Sequence, residues 1–160
     1  SMDRRRFVST LPALAAGPYL GATLGAVLSG CNSEPLTGPV EIKWDRDVCT
    51  RCSMVISDRH FAAQIRDPMT KVFKFDDFGC AVFWKEHQTF SDAEIEFWAA
   101  NSAHNAADAA AGGKWLDARK ANYVGGKRTP MLYGFGAVGE AVPGSVSYAE
   151  AKKLILAKGK

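Results

Sequence analysis

Short blocks of apolar residues, separated by turn-forming clusters, run through the chain from about residue 41. His60–Arg66 and Val72–Phe75 read as strands, with Asp67-Pro-Met-Thr70 supplying the turn of a hairpin between them. Asp76 or Asp77 then caps a helix through about His87, with Phe78, Ala81, Val82 and Trp84 or Lys85 at helical spacing. The second half repeats this order more loosely. Ile95–Ala100 predicts a strand, 101–113 a loop of small residues and 114–124 a short helix broken by Gly125-Gly126. Met131–Val138 reads as a further strand after Thr129-Pro130. Ser147-Tyr-Ala-Glu150 is a capping box opening a last helix, with Tyr148, Ala151, Leu154 and Ile155 on one face. The pattern predicts an α+β domain over 41–160, made of two ββα-like units packed side by side, at about 41–90 and 91–160.

The N-terminal hydrophobic pattern has a different origin. Arg4-Arg-Arg-Phe7 precedes a charge-free stretch from Leu11 to Gly30, the layout of an export signal. It ends at Leu28-Ser-Gly-Cys31, which resembles the lipobox of bacterial lipoproteins and makes Cys31 the expected lipidation site. The arginine pair also hints at the twin-arginine route. A permanent membrane span is the competing reading, opposed by Pro12, Pro18 and repeated glycines. Ser1 ahead of Met2 reads as a tag remnant, and residues 31–40 as a lipidated tether holding the domain off a membrane. Most of the net charge of +3 comes from residues before Cys31, and no basic run interleaves with aromatics, so nucleic acid is not an expected partner.

Candidate chemistry concentrates at Cys49-Thr-Arg-Cys-Ser-Met54. Two thiols and a thioether so close together select Cu(I), whereas Zn²⁺ takes four Cys or His ligands and rarely Met. A thioredoxin-like redox pair and a structural disulfide with Met54 as core filler are the competing readings, and a structural zinc module is a third function class. Export sharpens the copper argument. With Cys31 spent on lipid, Cys49, Cys52 and Cys80 are an odd set, and thioethers neither oxidise to disulfides nor need deprotonation. Cys80 reads as a small buried hydrophobe, His60 as a strand-end residue, Asp76 and Asp77 as helix caps, and Met69 and His104 as solvent-facing. No nucleophile with an attached base and no phosphate loop stands out, so the expectation is a non-enzyme.

Taken together these residues resemble the NosL family, copper-binding lipoproteins associated with assembly of nitrous oxide reductase. The match runs through Cys49-x-x-Cys-x-Met54-Val-Ile-Ser-Asp, Phe61-Ala-Ala-Gln64, Lys74-Phe-Asp-Asp-Phe-Gly-Cys80, Trp115-Leu-Asp117, Ala121-Asn-Tyr-Val124 and Thr129-Pro-Met-Leu-Tyr-Gly134. The resemblance implies a paired ββα architecture like that of organomercurial lyase. It further implies a periplasmic, lipid-anchored Cu(I) carrier serving the reductase through an ABC-type maturation complex. It puts Met131 beside Cys52 and Met54 as a ligand. Since two adjacent donors would leave Cu(I) exposed, a third soft donor on the second half is expected to close the site, and Cys49 reads as a further donor or resolving thiol. One departure is visible: Ser53 stands where the family usually has Gly, which is harmless unless that position needs a positive φ.

Overall fold

The computed structural model describes residues 34–103 and 115–159. The expected signal, the lipobox with Cys31, and His104 lie outside the described residues. Among the described residues no helix is long and apolar enough to cross a membrane.

The fold is α+β, with two α-helices and two antiparallel sheets among the described residues. The first sheet contains β1 (Ala63–Arg66), β2 (Val72–Phe75), β3 (Glu96–Ala100) and β4 (Trp115–Asp117) in the order β2-β1-β3-β4. The expected hairpin is present, with Ala63 opposite Phe75 and Arg66 opposite Val72. Asp67 closes it by accepting the amides of Met69 and Lys71, each at 2.9 Å. Between β2 and β3 lies α1 (Phe78–Glu86), which buries Phe78, Gly79, Cys80, Ala81, Val82 and Lys85. A helix apolar on nearly every side must be covered on nearly every side. Phe78 therefore stacks on Tyr123 at 4.4 Å and on Phe97 at 5.6 Å between ring centroids.

The second sheet is β5 (Asn122–Val124), β6 (Gly136–Val138) and β7 (Val146–Ser147), in the order β6-β5-β7. Ser147 caps α2 (Tyr148–Ala157) by accepting the Glu150 amide at 3.3 Å. Ala151 and Ile155 face the core as expected, but Leu154 is largely exposed. A parallel bridge between Asn101 and Ala137 and the Ser102 amide on the Ala137 carbonyl (2.8 Å) join the sheets.

Two expected elements differ. In place of a helix over 114–124 the chain forms β4, a tight turn in which the Lys120 and Ala121 amides both reach the Asp117 carbonyl at 3.0 Å, and then β5. Pairing of Trp115, Leu116 and Asp117 with β3 supplies the backbone partners that a short helix would have found locally. The expected strand over 131–138 shrinks to β6, because Leu132 (φ 61°) and Gly134 (φ 86°) coil the chain in front of it. At the other end, the last part of the expected tether is tied to the first sheet. The buried Gln64 amide accepts from the Val40 amide and donates to its carbonyl, both at 2.9 Å, and Arg66 donates to the Gly38 carbonyl at 2.8 Å.

Candidate metal centre

The centre forms where β2 runs into α1. Asp77 is the helix N-cap and accepts the Gly79 amide at 2.9 Å, which leaves Asp76 one residue before the helix and Cys80 in its first turn. The segment 49–54 lies against this junction. Its amides at Cys49 and Ser53 bond to the carbonyls of Met54 (2.8 Å) and Cys49 (3.0 Å), folding it into one turn, and the Thr50 amide anchors that turn to the Lys74 carbonyl at 2.8 Å. Closing so tight a turn puts Ser53 at φ 63°. The position that glycine occupies in the resembling family thus does need a positive φ, and serine meets it at a cost of roughly 1 kcal/mol.

One ligand atom from each of Cys49, Cys52, Asp76 and Cys80 lies within 4.8 Å of the others. The thiols are free. Cys49 and Cys80 are fully buried, while Cys52 reaches solvent and donates from Sγ to the Asp76 carboxylate at 3.3 Å and 3.4 Å. Four acids at this range cannot all ionise in a dry site. Cys49 takes the charge: the Cys80 thiol, then the amides of Cys52 and Asp76, donate to its sulfur and draw it down to about 4. The neighbours move the other way. Burial pushes the Cys52 thiol up to about 12 and Asp76 up to about 6, each reinforced by the Cys49 charge. Cys80 rises far above the ordinary thiol range, chiefly because it is the donor to Cys49. The result is one buried thiolate ringed by groups that resist further ionisation. A cation entering the cluster would reverse this by replacing protons as the neutralising charge.

Of the residues singled out in the sequence, Cys49 and Cys52 fall in the cluster. Met54 belongs to the same turn, with its side chain largely exposed. Met131 lies in the half-buried 129–134 turn, its amide bound to Asp77 Oδ2 at 3.0 Å, so its backbone is pinned to the residue next to Asp76. His60 does not join the cluster and pairs with Asp58 at 3.1 Å. Met69 is solvent-facing as expected.

One expectation fails here and one is extended. Asp77 alone caps the helix, whereas Asp76 is turned to Cys52; Cys80 is buried in the core as expected, and its sulfur also lies within ligand range of the cluster. The signal for both was present in the sequence: a carboxylate and a thiol four residues apart, straddling a helix start, can face one point.

No family model and no curated protein matches the chain. Among solved structures, it is similar to the copper chaperone NosL from Shewanella denitrificans, at a TM-score of 0.49 and 15% identity, with 77% of this chain and 88% of that one covered. A likeness at that level concerns the backbone, and the functional reading below rests on the residues of this chain.

Proposed function

We propose that this protein is an exported Cu(I) carrier, anchored to a bacterial membrane by lipid on Cys31, that supplies copper for assembly of the copper centre of nitrous oxide reductase through an ABC-type maturation complex. The observation that carries the metal reading is the convergence of three free thiols and one carboxylate with a single thiol, Cys52, open to solvent. Thiolates suit Cu(I), and two or three of them satisfy it. The buried pair Cys49 and Cys80 would hold the ion while Cys52, on the outer side with Met54 beside it, presents it to an incoming ligand. A site closed on every side would store metal; one half-exposed sulfur lets a partner thiol or thioether attack. The lipid anchor and the periplasmic location rest on Leu28-Ser-Gly-Cys31, and the partners on the NosL-like motifs.

Anaerobic titration against a colorimetric Cu(I) chelator tests the reading. One tightly held equivalent is expected, weakened at least tenfold by Cys52→Ser and by Cys80→Ser. Copurification of zinc with no competition for Cu(I) would overturn it in favour of a structural zinc site. Mass spectrometry of the protein from its native host tests the anchor: an unprocessed N-terminus without an acyl mass removes it.

A further inference from the structure

The donors of the candidate metal centre come from segments far apart in sequence, and besides the Cys52–Asp76 bond a second side-chain pair crosses between the cysteine turn and the second half. Arg51, between the two cysteines of the turn, donates from Nη1 to the Tyr133 hydroxyl at 2.8 Å. Its guanidinium also lies 4.7 Å from the centroid of the Phe83 ring on α1. Tyr133 itself is held firmly. It is 1% exposed, its ring packs against the backbone of Gly79, and its carbonyl accepts from Lys158 Nζ at 2.5 Å. The turn that leads into it is fastened to α1 through Met131 and Asp77. The cysteine turn is held by the Thr50 amide on the end of β2, by Cys52 Sγ on Asp76 and by the burial of Cys49, while its outer side, Ser53 to Val55, is exposed. Tyr133 is the fixed post and the Arg51 turn, exposed on that outer side, the part that can lift.

We propose that Arg51 and Tyr133 are positioning residues forming a latch, which keeps the Cys49–Met54 turn closed over Asp76 and Cys80 and sets how fast the site opens to give up its metal. The role in release rests on the Cu(I)-carrier reading; the latch itself does not. Lifting the turn breaks the charge-assisted hydrogen bond and the cation–π contact along with the Thr50–Lys74 and Cys52–Asp76 bonds and uncovers Cys49, while β1 stays paired in its sheet. Loss of the hydrogen bond alone should raise the frequency of opening about tenfold. Met131 is two residues from Tyr133, so the same motion would separate the 129–134 turn from the cysteine turn.

The latch can be read without metal, because Cys49 is 1% exposed and reacts only when the turn lifts. Pulsed alkylation of the reduced full-length apoprotein, mapped by peptide mass spectrometry, would compare wild type with Tyr133→Phe, Arg51→Lys and the double variant. Cys49 should be modified about tenfold faster in Tyr133→Phe, with amide exchange in β1 unchanged. The double variant should accelerate Cys49 by less than the product of the two single effects, since the shared bond is lost only once. A wild-type rate at Cys49, or an acceleration matched by β1 exchange, would overturn the latch, the latter because it signals global unfolding. A second arm measures transfer of bound Cu(I) to a chelator. Transfer about tenfold faster from Tyr133→Phe at unchanged stoichiometry supports the release role, and an unchanged rate beside faster alkylation overturns it. Wild type that binds no Cu(I) defeats the carrier reading, and the alkylation arm still decides the latch.

Discussion

Substituting Gly79 by alanine tests the packing on which the centre depends. A methyl group there would lie inside van der Waals contact of Tyr133 Cγ and Cδ2, and 2.5 Å from Tyr133 Cβ. These atoms sit at the root of the side chain, so rotating the ring does not relieve the clash. Neither partner can withdraw. Tyr133 is held by Arg51 and Lys158, and α1 by its Asp77 cap. Alanine in a helix gains up to about 1 kcal/mol over glycine. Overpacking costs about 1–3 kcal/mol, and displacing the Tyr133 hydroxyl forfeits about 1–2 kcal/mol of charge-assisted hydrogen bonding. The net expectation is a loss of about 2–3 kcal/mol, read as a lower urea midpoint of the reduced apoprotein with little change in slope. In a Tyr133→Ala background the ring atoms are gone, so the cost of Gly79→Ala should shrink by at least about 1 kcal/mol. A Gly79→Ala variant as stable as wild type, or an identical cost in both backgrounds, would refute the argument.

Ser53→Gly should stabilise the apoprotein by about 0.5–1 kcal/mol, since release of the positive-φ strain exceeds the extra chain entropy of glycine; a lower melting temperature would contradict this. Asp77→Ala should cost about 2–3 kcal/mol, because the Gly79 and Met131 amides both lose their acceptor, and a loss below about 1 kcal/mol by urea denaturation would count against it. The Cys49 pKa is lowered by folding from 9.0 to about 4, so its contribution is complete above the unfolded value and is lost as pH falls through the folded one. Asp76 is raised from 3.8 to about 6, so its contribution is complete below 3.8 and is lost by about 6. Between about pH 6 and 8 the Cys49 trend dominates, because the raised Cys52 and Cys80 thiols oppose it only as pH nears their unfolded value of 9.0. Stability of the apoprotein should therefore rise from about pH 6 to 8 in wild type and much less in Cys49→Ser, measured by denaturation across that range; parallel profiles would sink the assignment of the thiolate.

Local chemistry was readable wherever one segment carries its own instructions. The Asp67–Lys71 turn, the Asp77 and Ser147 caps and the strand over residues 96–100 follow from turn residues, capping side chains and apolar runs, whose partners lie within a few positions. The Cys49 and Cys52 pair was legible for the same reason, since both thiols ride on one turn. Elsewhere distant partners decided. Residues 115–117 became a strand because β3 offered an open edge, a fact about neighbours to which helix propensity is blind. Asp76 and Cys80 entered the candidate metal centre only once β2 delivered the helix start beneath the cysteine turn, and Arg51 met Tyr133 across 82 positions of sequence. The sequence alone determined two of the donors, Cys49 and Cys52, and the turn that carries them. The number that converge, their order of ionisation and which one faces solvent depend on burial and on distances shorter than 5 Å between remote segments, and those exist only in the folded chain.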